Sequence, residues 1–301
     1  MAISKQTHTF KVVKNCEIQV DVYGVFDHTK CPVIMFIHGG ALIMGHRGNI
    51  SSEQLEMYVN AGYTLVSIDY RLAPETKLKA IIEDLQDAYS WVREMGPKLF
   101  SIDPDRISVI GHSAGGYLTL MAGFCVDPHP KALISFYGYG DITESWYSRP
   151  DPFYCQQPSV SKKDAYNSVG NAVISGTPDQ NNRYLFYLYC RQHGIWPREV
   201  AGYDPDTEPT AFTPFCPVRN VTMDYSPTLL LHGDRDTDVP YEQSVMMADE
   251  LTRVGVEHEL ITIPNGGHGF DGAGLKDTVV SKAFERILNF LENHNSVKPV
   301  L

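Results

Sequence analysis

The sequence predicts an α/β fold, an open and mostly parallel sheet with helices on both faces. Three observations predict it. Short, nearly continuous apolar runs recur at VIMFIHGG (33–40), YTLVSIDY (63–70), RISVIGHS (106–113), ALISFYGYG (132–140), PTLLLHGD (227–234) and HELITIPNGG (258–267), as expected for strands buried on both faces. Segments with helical apolar periodicity lie between them. The two kinds alternate, which is the succession that crossover connections turn into a parallel sheet.

Taken in order, residues 9–25 (TFKVVKNCEIQVDVYGV) alternate apolar and polar on either side of Lys14-Asn15 and read as an antiparallel hairpin. In KLKAIIEDLQDAYSWVREMG, the positions Leu78, Ile81, Ile82, Leu85, Ala88, Tyr89 and Val92 form one helical stripe. YLTLMAG, EQSVMMADELTRVG and DTVVSKAFERILNFLENH behave likewise. One stretch breaks the rhythm: from about Trp146 to Asn220 there is no buried-strand pattern, many prolines and a heavy load of aromatics. A long excursion between two sheet strands suits either a cover that lines a ligand pocket or a second helical layer packed for stability. The first is the expectation, with a lid over residues 141–225 inserted in a single domain of residues 1–301.

The 301 residues suffice for a large buried core. A formal net charge of -11, with no Lys/Arg run, argues against nucleic acid and anionic membranes as partners. No segment approaches the roughly 20 apolar residues of a membrane-spanning helix, and MAISKQTHTF has no apolar signal core. Six scattered cysteines without a CxxC pair point away from zinc and from a disulfide framework. The Asn49 and Asn220 triplets match the glycosylation pattern by chance often enough to carry no weight. The expectation is a cytoplasmic protein with no metal; a homodimer is left open.

The chemistry starts at Gly111-His-Ser-Ala-Gly115, a G-x-S-x-G match between a predicted strand and a predicted helix. In that context small residues two before and two after Ser113 relieve a sharp turn that projects its hydroxyl as a nucleophile. A structural turn serine is the bland reading. A phosphate cradle is weaker, because the glycines fall as G-x-x-x-G-G and no P-loop lysine follows. A serine needs a base. Of eleven histidines, His268 lies in the glycine-rich loop Asn265-Gly-Gly-His-Gly-Phe270 directly after the last predicted strand. His38 and His232 read as structural or supporting, and His112 points away from the nucleophile.

The base needs an acid to fix its tautomer. LLLHGDRDTDVPYEQS offers Asp234, Asp236 and Asp238. Asp236 is the choice, Asp234 is read as tying down the turn and Asp238 as a cap for the helix near Pro240. The turn His38-Gly39-Gly40-Ala41 after VIMFI supplies an oxyanion site. The amides of Gly40 and Ala41, with Gly39 alongside and Ala114 after the serine, are the donors.

Together with Asp69-Tyr-Arg-Leu-Ala-Pro-Glu75 and His232-Gly-Asp-Arg-Asp-Thr-Asp-Val-Pro240, these motifs span nearly the whole chain and resemble the α/β-hydrolase superfamily, within it the hormone-sensitive-lipase-like esterases. The resemblance implies an eight-stranded sheet, a Ser113–His268–Asp236 triad and no cofactor, with DYRLAPE mainly structural. Two departures stand out. Ala41 occupies the third oxyanion glycine, and the N-terminal part of the family's cap looks absent. The 141–225 segment resembles those of fungal members linked to small-molecule metabolism. HGDRDTDVPYEQS also resembles prolyl-oligopeptidase-like chains, but those carry an accessory domain for which this length leaves no room.

The expected function is hydrolysis of small-molecule carboxylic esters through an acyl-enzyme on Ser113. The same parts suit an acyltransferase or lactone-forming cyclase of secondary metabolism if an alcohol replaces water. A non-catalytic receptor on this fold is the third reading, disfavoured because all triad candidates are present.

Overall fold

The computed structural model describes residues 3–25, 30–177 and 180–296. Among these, eight strands form one sheet: β1 (Ser4–Val13), β2 (Cys16–Gly24), β3 (Cys31–Ile37), β4 (Thr64–Ile68), β5 (Ile102–His112), β6 (Leu133–Phe136), β7 (Thr228–Gly233) and β8 (His258–Ile263). Their spatial order is β1-β2-β4-β3-β5-β6-β7-β8. The hairpin turns at Lys14, as the alternation predicts, and Lys14 adopts a φ of 55° there. β2 also pairs antiparallel with β4, and every later pairing is parallel.

Side-chain alternation on these strands feeds two cores. Val33, Met35 and Ile37 point to one face, and Ile34 and Phe36 to the other. The first face is covered by helices α1 (Leu78–Glu94), α2 (Ala114–Cys125) and α3 (Glu242–Val254). The second is covered by Ser52–Asn60 and Thr278–Asn295. The apolar stripe read in the sequence is the buried face of α1, from Leu78 to Val92.

Two strands differ from expectation. The apolar run 132–140 keeps β-structure only to Phe136, because Tyr137 turns the chain at a φ of 37°. Gly138 then packs so close to α2 that a Cβ there would lie 2.6 Å from the Gly116 carbonyl carbon. β5 starts earlier than the apolar run, at Ile102, with a register break against β3 between Cys31 and Val33.

Residues 141–225, between β6 and β7, contain helical segments and turns, including Gln180–His193 and Trp196–Ala201. Trp146, Tyr147, Phe186, Trp196 and Phe212 belong to the same continuous core as the first sheet face. The rings of Tyr147 and Trp196 stack at 4.0 Å, and Trp146 stacks on Tyr147 at 3.6 Å. The segment is therefore packed as a helical layer against the first sheet face. Three of its tyrosines also line a cavity, described next.

Parallel pairing puts the C-terminal ends of β3, β5, β6, β7 and β8 along one edge of the sheet. Ile37 pairs with Gly111, His112 with Phe136, Phe136 with Leu231, and Gly233 with Ile263. The loops carrying His38, Ser113, Tyr137, Asp236 and His268 all leave from that edge, the usual ligand edge of open α/β sheets.

Candidate active site

Ser113 stands between the end of β5 and α2 with φ 56° and ψ -118°, a sharp turn that lifts its hydroxyl off the sheet. The flanking glycines are required by contact. A Cβ on Gly111 would lie 2.1 Å from the Gly115 carbonyl oxygen, and one on Gly115 would lie 2.1 Å from that of Ile37. The small residues two before and two after the serine thus let the turn close against itself and against β3.

His268 Nε2 lies 3.0 Å from Ser113 Oγ, and His268 Nδ1 lies 2.7 Å from Asp236 Oδ2. Asp236 is buried, yet its carboxyl is held below the ordinary range: burial opposes ionisation, and hydrogen bonds from His232 and His268 outweigh it. The Asp236 carboxylate also accepts the backbone N–H groups of Asp238 at 2.8 Å and Val239 at 3.0 Å. An ionised carboxylate only accepts, so the proton on His268 sits on Nδ1 and Nε2 is free to accept from the serine. His232 faces two oxygens with Nε2, Val239 O at 3.0 Å and Asp236 Oδ2 at 3.3 Å, and accepts from Ser244 with Nδ1. It props the acid.

The other aspartates separate by geometry. Asp234 accepts the Asn265 N–H at 2.6 Å and joins the two loops, the turn-tying part read from sequence. Asp238 is not a helix cap: α3 begins after Tyr241 with no side-chain cap. Instead Asp238 Oδ1 accepts from Tyr154 Oη at 2.8 Å, Arg191 Nη1 at 2.6 Å and Tyr187 Oη. Its Oδ2 lies 3.5 Å from His268 Nε2.

Gly39, Gly40 and Ala41 border the serine. A Cβ on Gly39 would lie 3.2 Å from the Ser113 Cβ and 2.8 Å from the His112 carbonyl oxygen. Gly40 has φ 112°, and Ala41 and Leu42 follow at 55° and 61°. Position 41 thus takes a conformation that favours glycine, at a cost of about 1 kcal/mol for alanine. Neighbours hold it: Trp196 Nε1 donates to Ala41 O at 3.1 Å, and the Ala73 N–H to Leu42 O at 2.8 Å. Ala114, the first residue of α2, is fully buried beneath the serine turn.

The DYRLAPE stretch braces this loop. Tyr70 stacks on the buried His38 at 4.3 Å and donates to its carbonyl at 3.0 Å. Burial holds the His38 imidazole neutral, down to about 3. Arg71 forks onto Asp84. Glu75 takes both ends of the Arg183 guanidinium, at 2.8 and 2.7 Å, and Arg183 also donates to the Ala73 and Ile43 carbonyls. Both side chains are nearly inaccessible. Glu75→Ala leaves a buried cation without its acid, so it is expected to cost about 3–5 kcal/mol. A denaturant midpoint equal to that of the wild type would contradict this.

A cavity of about 340 Å³ opens above Ser113 and is bordered by Met44, Tyr137, Tyr154, Tyr184 and Tyr187 beside the residues above. His112 packs against Phe136 at 4.4 Å and lies 3.6 Å from Asp271. Sequence reasoning missed Asp238 as a neighbour of His268, and Arg191, Tyr154 and Tyr187 with it. The Tyr187–Arg191 spacing, one helical turn, was the available signal. No cluster of potential metal ligands occurs among the described residues, and no described helix is long and apolar enough to cross a membrane.

Two family models match the chain: BD-FAE over residues 20–147 and the prolyl oligopeptidase family over residues 171–297. Among curated proteins, the non-reducing polyketide synthase adrD of Penicillium rubens is 28% identical over 87% of this chain and 12% of its own length. Preu3 of Preussia isomera, also a non-reducing polyketide synthase, is 28% identical over 96% of this chain and 14% of its own. The chain thus spans about one eighth of these relatives. Among solved structures, an alpha/beta hydrolase superfamily protein from Enterococcus faecalis superposes with a TM-score of 0.74 at 22% identity, covering 96% of this chain and 99% of that one. A thermophilic esterase from Thermogutta terrifontis gives 0.69 at 19%, covering 98% and 94%. A protein of unknown function from Staphylococcus aureus gives 0.78 at 21%, covering 98% and 100%. These likenesses establish the fold.

Proposed function

We propose that the chain, which shares the fold of an alpha/beta hydrolase superfamily protein and of a thermophilic esterase, is a serine hydrolase that cleaves carboxylic esters of small molecules through an acyl-enzyme on Ser113. The observation that carries the reading is the unbroken relay Ser113 Oγ, His268 Nε2, His268 Nδ1 and Asp236 Oδ2, at 3.0 and 2.7 Å. His268 takes the serine proton as Ser113 attacks the ester carbonyl. The carbonyl oxygen, now negative, sits against the Gly39-Gly40-Ala41 turn and the start of α2, where the amides of Gly40, Ala41 and Ala114 receive it. His268 then protonates the leaving alcohol, and water attacks the acyl-enzyme with His268 again as base. Residues 141–225 act as the cover that shapes the acyl pocket through Tyr154, Tyr184 and Tyr187.

Support also comes from the structural likeness to an esterase described as phosphorylated by paraoxon. A second reading, release of an acyl chain to an alcohol in secondary metabolism, is favoured by the non-reducing polyketide synthases among the relatives. The test is a panel of p-nitrophenyl esters of rising acyl length and aromatic acids, each with and without an added acceptor alcohol. Free acid as the product establishes hydrolysis. New ester made at the expense of acid moves the assignment to acyl transfer. No turnover of any member, with the protein folded, overturns both.

A further inference from the structure

We propose that Asp238 is a positioning residue, a second carboxylate that acts on His268 at Nε2 and is held there by Arg191 of the 141–225 segment. The inference rests on His268 being the base described above. Asp236 already serves Nδ1. Asp238 approaches the opposite nitrogen, the one that receives the serine proton, with Oδ2 at 3.5 Å. Against a neutral ring, Nε2 presents a lone pair to that oxygen and the contact gives nothing. Once Nε2 is protonated, the same contact becomes an attraction between opposite charges. Asp238 therefore favours the imidazolium form, which above the His268 titration midpoint arises only as the reaction proceeds, and that is the condition for raising the rate.

The brace explains why Asp238 stays in place. Its Oδ1 is saturated by Tyr154, Tyr187 and Arg191, which leaves Oδ2 for the cavity and the base. The Arg191 side chain is fully buried, and its other nitrogen donates to Asp151 at 2.6 Å. It is boxed by the rings of Tyr154 at 4.5 Å, Tyr147 at 5.0 Å and Trp146 at 5.5 Å. Two aspartates share one arginine, so the cluster keeps one negative charge in excess beside His268.

The remaining groups around His268 do not replace this effect. Asp236 faces Nδ1, with His232 behind it. The Tyr137 ring lies 4.6 Å away, but its hydroxyl is turned to Asp271, which also faces His112. Burial opposes the charge on His268, and the nearby Asp238 and Asp236 outweigh it and raise its pKa, with Arg191 opposing them.

The test is the pH titration of His268, followed by NMR of its ring in the free protein and assigned with His268→Gln. The pH dependence of kcat/KM on a neutral ester is measured alongside. Asp238→Asn is expected to move the His268 midpoint toward acid by about one pH unit. The acid limb of kcat/KM follows it, since the base now loses its proton at lower pH. The plateau falls by no more than about tenfold, the factor that one unit represents. Asp238→Ala serves the same purpose if the asparagine variant does not fold. Asp151→Asn loosens the Arg191 brace and leaves Asp238 charged, so its midpoint is expected to move far less. A midpoint unchanged in both Asp238 variants, or one that moves as far in Asp151→Asn, overturns the proposal. Because NMR needs no turnover, its result separates this proposal from failure of the hydrolase reading.

Discussion

Ser113→Ala is expected to lower kcat/KM toward small esters by about six orders of magnitude, leaving only the weak residual catalysis of binding and the oxyanion site. Its folding should be unaffected. Ser113 sits at φ 56° and ψ -118°, and alanine keeps the Cβ that makes this conformation costly, so strain is carried over unchanged. The lost hydroxyl leaves His268 Nε2 without its 3.0 Å partner, but that site borders the cavity, where water replaces it. Ser113→Gly makes the same argument from the other side. It is equally inactive and is expected to be more stable than Ser113→Ala by about 1 kcal/mol, because glycine tolerates the turn. Thermal unfolding of the pair and initial rates on one ester check both halves.

The second large effect separates the three clustered aspartates. Asp236→Asn is nearly isosteric and keeps an oxygen for the Asp238 and Val239 N–H groups. Its amide, however, donates toward His268 Nδ1. The ring then carries its proton on Nε2 and cannot accept from Ser113. A loss of about 10⁴ in kcat is expected from the wrong tautomer alone. Asp234→Asn keeps an acceptor for Asn265 N–H and touches no part of the relay, so it is expected to stay within several-fold of the wild type. Side-by-side kcat values decide the matter. An inactive Asp234→Asn beside an active Asp236→Asn would reassign the acid.

Much of this site is legible in the sequence because its parts sit where strands end. The apolar runs predict β3, β5, β7 and β8, and parallel pairing brings their C-terminal ends to one edge without further information. The glycines of Gly111-His-Ser-Ala-Gly115 are legible for a local reason, since the turn they permit is fixed by contacts of the backbone with itself and β3. Asp238 was misread because its residue type and its place before Pro240 suit a helix cap. Its actual partners come from 47 to 84 residues away in an aromatic-rich stretch with no strand pattern. The end of β6 was overrun for a similar reason. Tyr137 and Tyr139 are apolar enough to extend a strand, while Gly138 must approach α2 closely. Periodicity records which residues are buried; it does not record which distant segment buries them.

The account stands on Ser113 as the atom that carries the acyl group. Incubation with a fluorophosphonate, followed by proteolysis and tandem mass spectrometry, tests it most directly. The predicted result is one adduct, on Ser113, suppressed by a competing ester and absent from His268→Gln on the same time scale. An adduct on another residue, or none on a protein that still hydrolyses esters, would contradict the account.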